Sequence, residues 1–252
     1  MIYVIDWSAA AGYGRGMIKA EDVTSCALLQ RIPAKRLARL LAGASVQTSR
    51  RGETLFRQGA EAKYAWLVLD GWVHLVRAPE HQDGARGVVL YTVTARDVLC
   101  GISSIEPETY TTSGIAASTA RVLRLPAASF REALIGEPRF AYEVLRLCAS
   151  RIRQMAEQYG AMTEPVSHRI ARSILRLQRQ FGQTLPVTHR ELAQMSCTTT
   201  ESAIRVVRHL KHQGAVAGAR GRLTVVQTGA LTEMLRPGIE IRRASRWTPF
   251  TA

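Results

Sequence analysis

The apolar positions of this chain change their period twice along its length. Between residues 46 and 125 they come in short runs broken by glycine, and between 140 and 162 they step by three and four. Between 188 and 216 they form two short stripes in tandem, within T-H-R-E-L-A-Q-M-S-C-T-T-T-E-S-A-I-R-V-V-R-H-L-K-H-Q-G-A-V. Leu192, Ala193 and Met195 line one predicted helix; Ala203, Val206, Val207 and Leu210 line the next, on one face at helical spacing. Only Ser196, Cys197 and Thr198 lie between them. Thr198 followed three residues later by Glu201 has capping-box spacing, which predicts that the second helix starts at Thr199 to Glu201. The short connection, the small Ala193 and a polar outer face of Thr200, Glu201, Arg205 and Arg208 describe a helix-turn-helix fit for a major groove. An ordinary helical hairpin with a solvated charged face is the alternative reading.

The earlier stretches predict what surrounds this motif. After an uninformative arm over residues 1–20, with Gly12, Gly14 and Gly16, residues 28–41 read as a short helix with Pro33 near its start. The arm's glycines follow no strand, so they make a weak phosphate-loop signal. Arg51 to Gly59 reads as a short strand bracketed by turn glycines. Asp70-Gly71, between two alternating apolar runs, predicts a hairpin with a type I′ turn. Further strands are expected at 88–93, 114–117 and 122–125, and their number and shortness predict an antiparallel roll or barrel.

Leu145, Cys148, Ile152, Met155, Tyr159 and Met162 then step by 3, 4, 3, 4, 3. That is the spacing of a two-stranded helical seam, although the same stripe could pack on the roll. Thr163, Glu164 and Pro165 interrupt it; Thr163 can cap the next helix and Pro165 can sit in its first turn, making this the expected hinge. Ile170, Ile174 and Leu177 continue on that helix, and residues 216–226 read as a two-stranded wing turning at Arg220-Gly221, with Arg220 and Arg222 placed for phosphate. The tail from 236 onward, with Arg242, Arg243 and Arg246, has no period.

Charge sharpens the picture. The net charge is +14, and from Glu164 onward fourteen Lys/Arg face five Asp/Glu, whereas the longer remainder carries twenty against fifteen. One basic domain beside a near-balanced one is the footprint expected if a single domain meets a polyanion, DNA or an anionic membrane surface. Cys26, Cys100, Cys148 and Cys197 form no C-x-x-C pair, so a zinc ribbon or thioredoxin-type site has no support. Asp6 inside the first apolar stretch and the lack of a basic residue before Arg15 argue against a secretory signal, and no apolar run approaches a membrane span. A reduced, cytoplasmic setting is therefore expected.

Taken in order, a glycine-bracketed roll, a seam helix, a hinge, a helix-turn-helix and a wing resemble the cAMP-receptor/FNR (Crp-Fnr) family of bacterial transcription regulators over residues 26–226. The matching pieces are Arg51-Gly52-Glu53-Thr54-Leu55-Phe56-Arg57-Gln58-Gly59, Leu69-Asp70-Gly71-Trp72-Val73 and Glu201-Ser202-Ala203-Ile204-Arg205. The resemblance implies an α+β chain: an N-terminal double-stranded β-helix, jelly-roll-like, as sensory domain over 21–135, a dimerisation helix over 136–163, a winged helix-turn-helix over 164–230, and a basic tail over 231–252. It also implies a homodimer that binds a palindromic, TTGA-like site in double-stranded DNA when an effector sets the seam, and then contacts RNA polymerase. Glu201 and Arg205 would read bases, with Thr188, Thr198, Thr199, Thr200, Ser202, Arg208 and Arg220 completing the DNA-binding set.

The expected effector pocket holds Cys100, Gly101, Ile102, Thr111 and Thr112. In cyclic-nucleotide binders of the family, a carboxylate stands where this chain has Gly101 and an arginine where it has Thr111, so nothing cationic is expected there and cyclic AMP is disfavoured. Only Cys26 lies where the FNR branch gathers cysteines for an iron-sulfur cluster, which disfavours that too. Cys100 stands where the carbon-monoxide-sensing member ligates haem; it reads either as a haem ligand or as a buried gap-filling cysteine. Among roll histidines, His74 and His81, a satisfied or exposed His74 is expected over a haem ligand. Two rivals remain from other classes. A cupin-type metalloenzyme would need two histidines one residue apart with a nearby carboxylate, a spacing that His74 and His81 do not have, and no P-loop, G-x-S-x-G or H-E-x-x-H occurs. A ligand-sensing module without DNA binding would lack the helix-turn-helix and wing.

Overall fold

The structure is a computed structural model, and it describes residues 18–24, 26–30, 32–78, 87–95, 98–99, 104–105, 109–219 and 221–236. Two compact units divide the chain, Met1–Gly160 and Ala161–Ala252.

The first unit opens with helices α1 (Ala20–Thr24), α2 (Ala27–Gln30) and α3 (Ala34–Leu41). The single helix expected over 28–41 is thus two, because Pro33 has no N–H to continue α2 and instead takes the cap position of α3. Among the described residues seven strands follow: β1 (Ser45–Ser49), β2 (Thr54–Phe56), β3 (Tyr64–Asp70), β4 (Trp72–Arg77), β5 (Val88–Thr94), β6 (Ser113–Ala116) and β7 (Ala120–Pro126). They make two antiparallel sheets, ordered β1-β7-β3 and β2-β6-β4-β5. The expected Asp70-Gly71 hairpin is therefore a corner between sheets: β3 pairs with β7, and β4 with β5 and β6. Local alternation cannot tell the two apart, since both need a glycine of positive φ between apolar runs. Gly71 has φ +74, and a Cβ there would lie 2.3 Å from the Thr119 carbonyl oxygen, so the corner is also too tight for a side chain.

Strand β3 is apolar on both faces because it is buried on both. Trp66 and Val68 enter the core between the sheets with Phe56, Val73, Tyr110 and Val122. Ala65, Leu67 and Leu69 face a second core, under Leu37, Leu40 and Phe130. The inter-sheet core is fastened by Trp66 Nε1 donating to Tyr110 Oη at 3.0 Å and Tyr110 Oη donating to the Tyr64 carbonyl at 2.9 Å. Phe56 stacks on Tyr110 with centroids 4.4 Å apart, and its register partner Gly114 leaves the room: a Cβ there would meet the Phe56 ring at 2.5 Å.

Helices α4 (Ala127–Gly136) and α5 (Pro138–Gly160) close the unit. α5 buries Phe140, Val144 and Arg151. Its stripe residues Leu145 (66%), Ile152 (64%), Met155 (43%) and Tyr159 (76%) are exposed, as is Met162 (43%) just beyond it; only Cys148 leans on the helical core. Packing of the whole stripe on the roll is thus excluded.

The second unit starts with a 3-10 turn, Ala161–Thr163, and α6 (Val166–Phe181). The cap position of α6 falls on Pro165, two residues past Thr163, without a side-chain bond of its own, because its ring φ already suits a helix start. Glu164 accepts from Arg172 at both oxygens, at 2.7 and 2.8 Å, bracing this turn. Ile170, Ile174 and Leu177 are buried as the spacing predicts. Helices α7 (His189–Met195) and α8 (Thr200–His212) follow, then β9 (Val216–Ala217), β10 (Leu223–Val225) and α9 (Thr228–Glu233). Strand β8 (Thr184–Leu185), too short for a sequence pattern to reveal, makes the wing a three-stranded sheet ordered β8-β10-β9. Among the described residues no helix is long and apolar enough to cross a membrane.

Candidate nucleic-acid interface

Helix α7 begins with a full capping box: Thr188 Oγ1 accepts from Glu191 N–H at 3.2 Å, while the Glu191 carboxylate accepts from Thr188 N–H at 2.8 Å and from its hydroxyl at 2.7 Å. The box expected at Thr198 and Glu201 is absent. Thr199 caps α8 instead, its hydroxyl accepting from Ser202 N–H at 3.2 Å, because the Thr198 N–H is already donated to the Ala193 carbonyl, which draws Thr198 into the turn. Cys197 sits in that turn at φ +48, a conformation a side chain seldom takes. The turn is held from below: Arg169 donates to the Cys197 carbonyl at 3.3 Å and Ser196 Oγ bonds Ser173 Oγ at 2.9 Å, both serines buried.

On α8, Ala203, Val207 and Leu210 are buried, whereas Val206, expected with them, is only half-buried at the edge of that face. At 3.6 residues per turn Thr200, Glu201, Ile204, Arg205 and Arg208 share a sector of roughly 140°, apart from the buried face. Glu201, Ile204, Arg205 and Arg208 are exposed and Thr200 is half-buried. Four positions of the DNA-binding set are thereby brought onto one strip, while Thr188 and Thr199 spend their hydroxyls on caps and Thr198 and Ser202 are half-buried beside them. Arg220 lies outside the described residues.

A groove of about 600 Å³ runs between the start of α7, α8 and the wing. His189, Arg190, Lys211 and Arg222 line it, and Lys211 Nζ donates to the Gly218 carbonyl at 2.9 Å, tying α8 to the wing. His189 and Lys211 were missed by sequence reading because only the fold brings residues 189 and 211 to one groove. The His189 imidazole is held below its ordinary pKa, first by partial desolvation and then by the Lys211 ammonium.

In the first unit, Cys100, Gly101, Ile102 and His81 lie outside the described residues. Thr112 is buried and Thr111 exposed, and Arg77 Nη1 donates to the Thr111 carbonyl at 2.8 Å. Arg77, on a neighbouring strand, is exposed there, and its bond goes to main chain. A second arginine, Arg151, is buried on the roll side of α5, donating to the Leu99 carbonyl at 3.3 Å with its guanidinium 5.0 Å above the Tyr91 ring. His74 is buried, its Nδ1 3.0 Å from Thr92 Oγ1 on the paired strand, a satisfied core histidine.

Two family descriptions match this chain in the order of its units: a cyclic nucleotide-binding domain over residues 46–136 and a Crp-like helix-turn-helix domain over 168–234. The chain is 28% identical over 189 residues to the cyclic AMP receptor protein of Thermus thermophilus, covering 73% of this chain and 84% of that protein. It is 24% identical over 201 residues to the global nitrogen regulator of Synechococcus elongatus, covering 75% and 88%. Its fold is shared with FixK2 from Bradyrhizobium japonicum, at TM-score 0.68 and 16% identity over 78% of this chain and 99% of that one. With a roll and a winged helix-turn-helix each matched in place, the chain belongs to the Crp-Fnr family of transcription regulators.

Proposed function

We propose that this regulator binds a two-fold symmetric, TTGA-like promoter site as a homodimer, and that an effector in its roll sets the seam helices before RNA polymerase is contacted. The observation that carries the DNA reading is the exposed strip of α8, backed by a buried face and flanked by the basic groove. Glu201 can accept from cytosine N4 and Arg205 can donate twice to guanine O6 and N7, which suits a G·C step in each half-site. The exposed apolar stripe of α5 supports the dimer, since a two-fold axis there would cover it with itself. Half-sites would then lie about one helical turn apart. The chain reads as a regulator working in the cytoplasm, not an enzyme.

On the effector, one relative is by name a cyclic AMP receptor, but Gly101 and Thr111 stand here where cyclic-nucleotide binders carry a carboxylate and an arginine. We therefore read the ligand as a different small molecule or a haem-bound gas. Micromolar cyclic AMP affinity by calorimetry would overturn this.

Fluorescence anisotropy tests the DNA reading. A duplex carrying TTGA…TCAA should bind more tightly than a scrambled one, and Arg205→Ala should cost about 1–3 kcal/mol on the matched duplex while relaxing preference at one base pair. Equal losses on matched and scrambled duplexes would make Arg205 a phosphate contact and the reading face wrong.

A further inference from the structure

Resting on the DNA reading of α8, we propose that Ile204 is a specificity residue that reads a thymine methyl group beside the G·C step. It is the one apolar side chain on the exposed strip, bordered by Thr200, Glu201, Arg205 and Arg208, and 38% of it is open to solvent. Ile204 stands outside the face that α8 buries in the core. α8 already packs through Ala203, Val207 and Leu210, which are at most 1% exposed.

Ile204 also lines the groove whose rim carries Arg190, Lys211 and Arg222. Phosphates drawn to that rim would bring a duplex edge against the isoleucine, and its branched carbons offer no hydrogen bond to a base. In the major groove the apolar feature of a base edge is the C5 methyl of thymine, so a methyl contact is the favourable way to cover it. A helix rises 1.5 Å per residue, which puts Ile204 about 4.5 Å along the axis from Glu201 and within about one residue rise of Arg205. The thymine therefore belongs within one or two base pairs of the G·C step.

The test uses the full-length protein and its own preferred sequence. Duplexes enriched from a random library are remade with each thymine replaced by deoxyuridine, which removes the methyl and keeps every hydrogen-bonding group. One thymine per half-site is expected to be sensitive, with affinity falling roughly fourfold for each methyl removed. Ile204→Ala should bind the thymine and deoxyuridine duplexes alike, and Ile204→Val should keep part of the difference. Because Ile204 is exposed, both variants should melt as the parent does. Thr200 also carries a methyl group on the strip, so Thr200→Ser serves as the control and should keep the full preference. Indifference of the parent protein to every substitution, an unchanged preference in Ile204→Ala, or its loss in Thr200→Ser would overturn the assignment. If the library yields no enriched sequence, the underlying DNA reading fails instead.

Discussion

Thr188 and Glu191 show how much local chemistry two side chains settle. Their reciprocal bonds satisfy N–H groups that the first turn of α7 leaves without helical partners. Thr188→Ala should cost about 1 kcal/mol, read as a lower urea midpoint at unchanged slope. Two other residues give the second unit its pH response. The Arg172 guanidinium, bonded to Glu164, holds that carboxyl below its usual range, against a smaller opposing effect of burial. A depressed carboxyl contributes stability above its unfolded pKa, about 4.3, and loses it as pH falls through the folded value. His189 is depressed too, so from about pH 6.5 downward the unfolded chain takes up a proton that the folded chain resists, and stability falls. Denaturation midpoints against pH should show both declines, the upper one missing in His189→Gln and the lower one in Glu164→Gln. A midpoint flat from pH 7 to 5.5 in the parent would contradict the His189 assignment.

At the scale of elements, α5 carries two faces with different work. One face, with Phe140, Val144 and Arg151, is buried against the first unit; the other leaves Leu145, Ile152, Met155 and Tyr159 in water. Burying each large apolar side chain would contribute about 1.5–3 kcal/mol, so a self-association seam repays its formation. Ile152→Glu should split the dimer by placing like charges opposite each other across the axis. Sedimentation checks this: a variant that stays dimeric and binds DNA normally would make the seam assignment wrong. The stripe's spacing was legible in the sequence, because a helix repeats its faces from local geometry alone. Its exposure was not, since the same 3-4 spacing serves a helix packed on its own roll. Nor was the burial of Arg151, which nothing between Ser150 and Arg153 sets apart from its neighbours, beside Tyr91 and the Leu99 carbonyl.

For the whole molecule, charge concentrated in the C-terminal third predicts a strongly salt-dependent association. If the groove arginines and Lys211 meet phosphates in both half-sites, affinity should fall by about a thousandfold or more between 50 and 200 mM salt. Arg222→Ala removes one such contact per protomer and should flatten the slope of log affinity against log salt by about two units in a dimer. Anisotropy titrations across that range measure both; an unchanged slope would place Arg222 away from the backbone. The order of the larger elements, the buried face of α6, most of that of α8, the existence of the helix-turn-helix and the uneven charge were all determined by the sequence itself. Each depends on neighbours a few residues apart or on a simple count. Tertiary structure alone decided the rest. It turned the apparent Asp70-Gly71 hairpin into a corner between sheets, because strand partners are chosen by burial on two faces and not by the turn joining them. It brought Arg77 to the Thr111 carbonyl from 34 residues away, a contact that no local pattern signals. And it joined His189, Lys211 and Arg222 into one groove, since residues far apart in the chain become neighbours only when hydrophobic burial folds it back on itself.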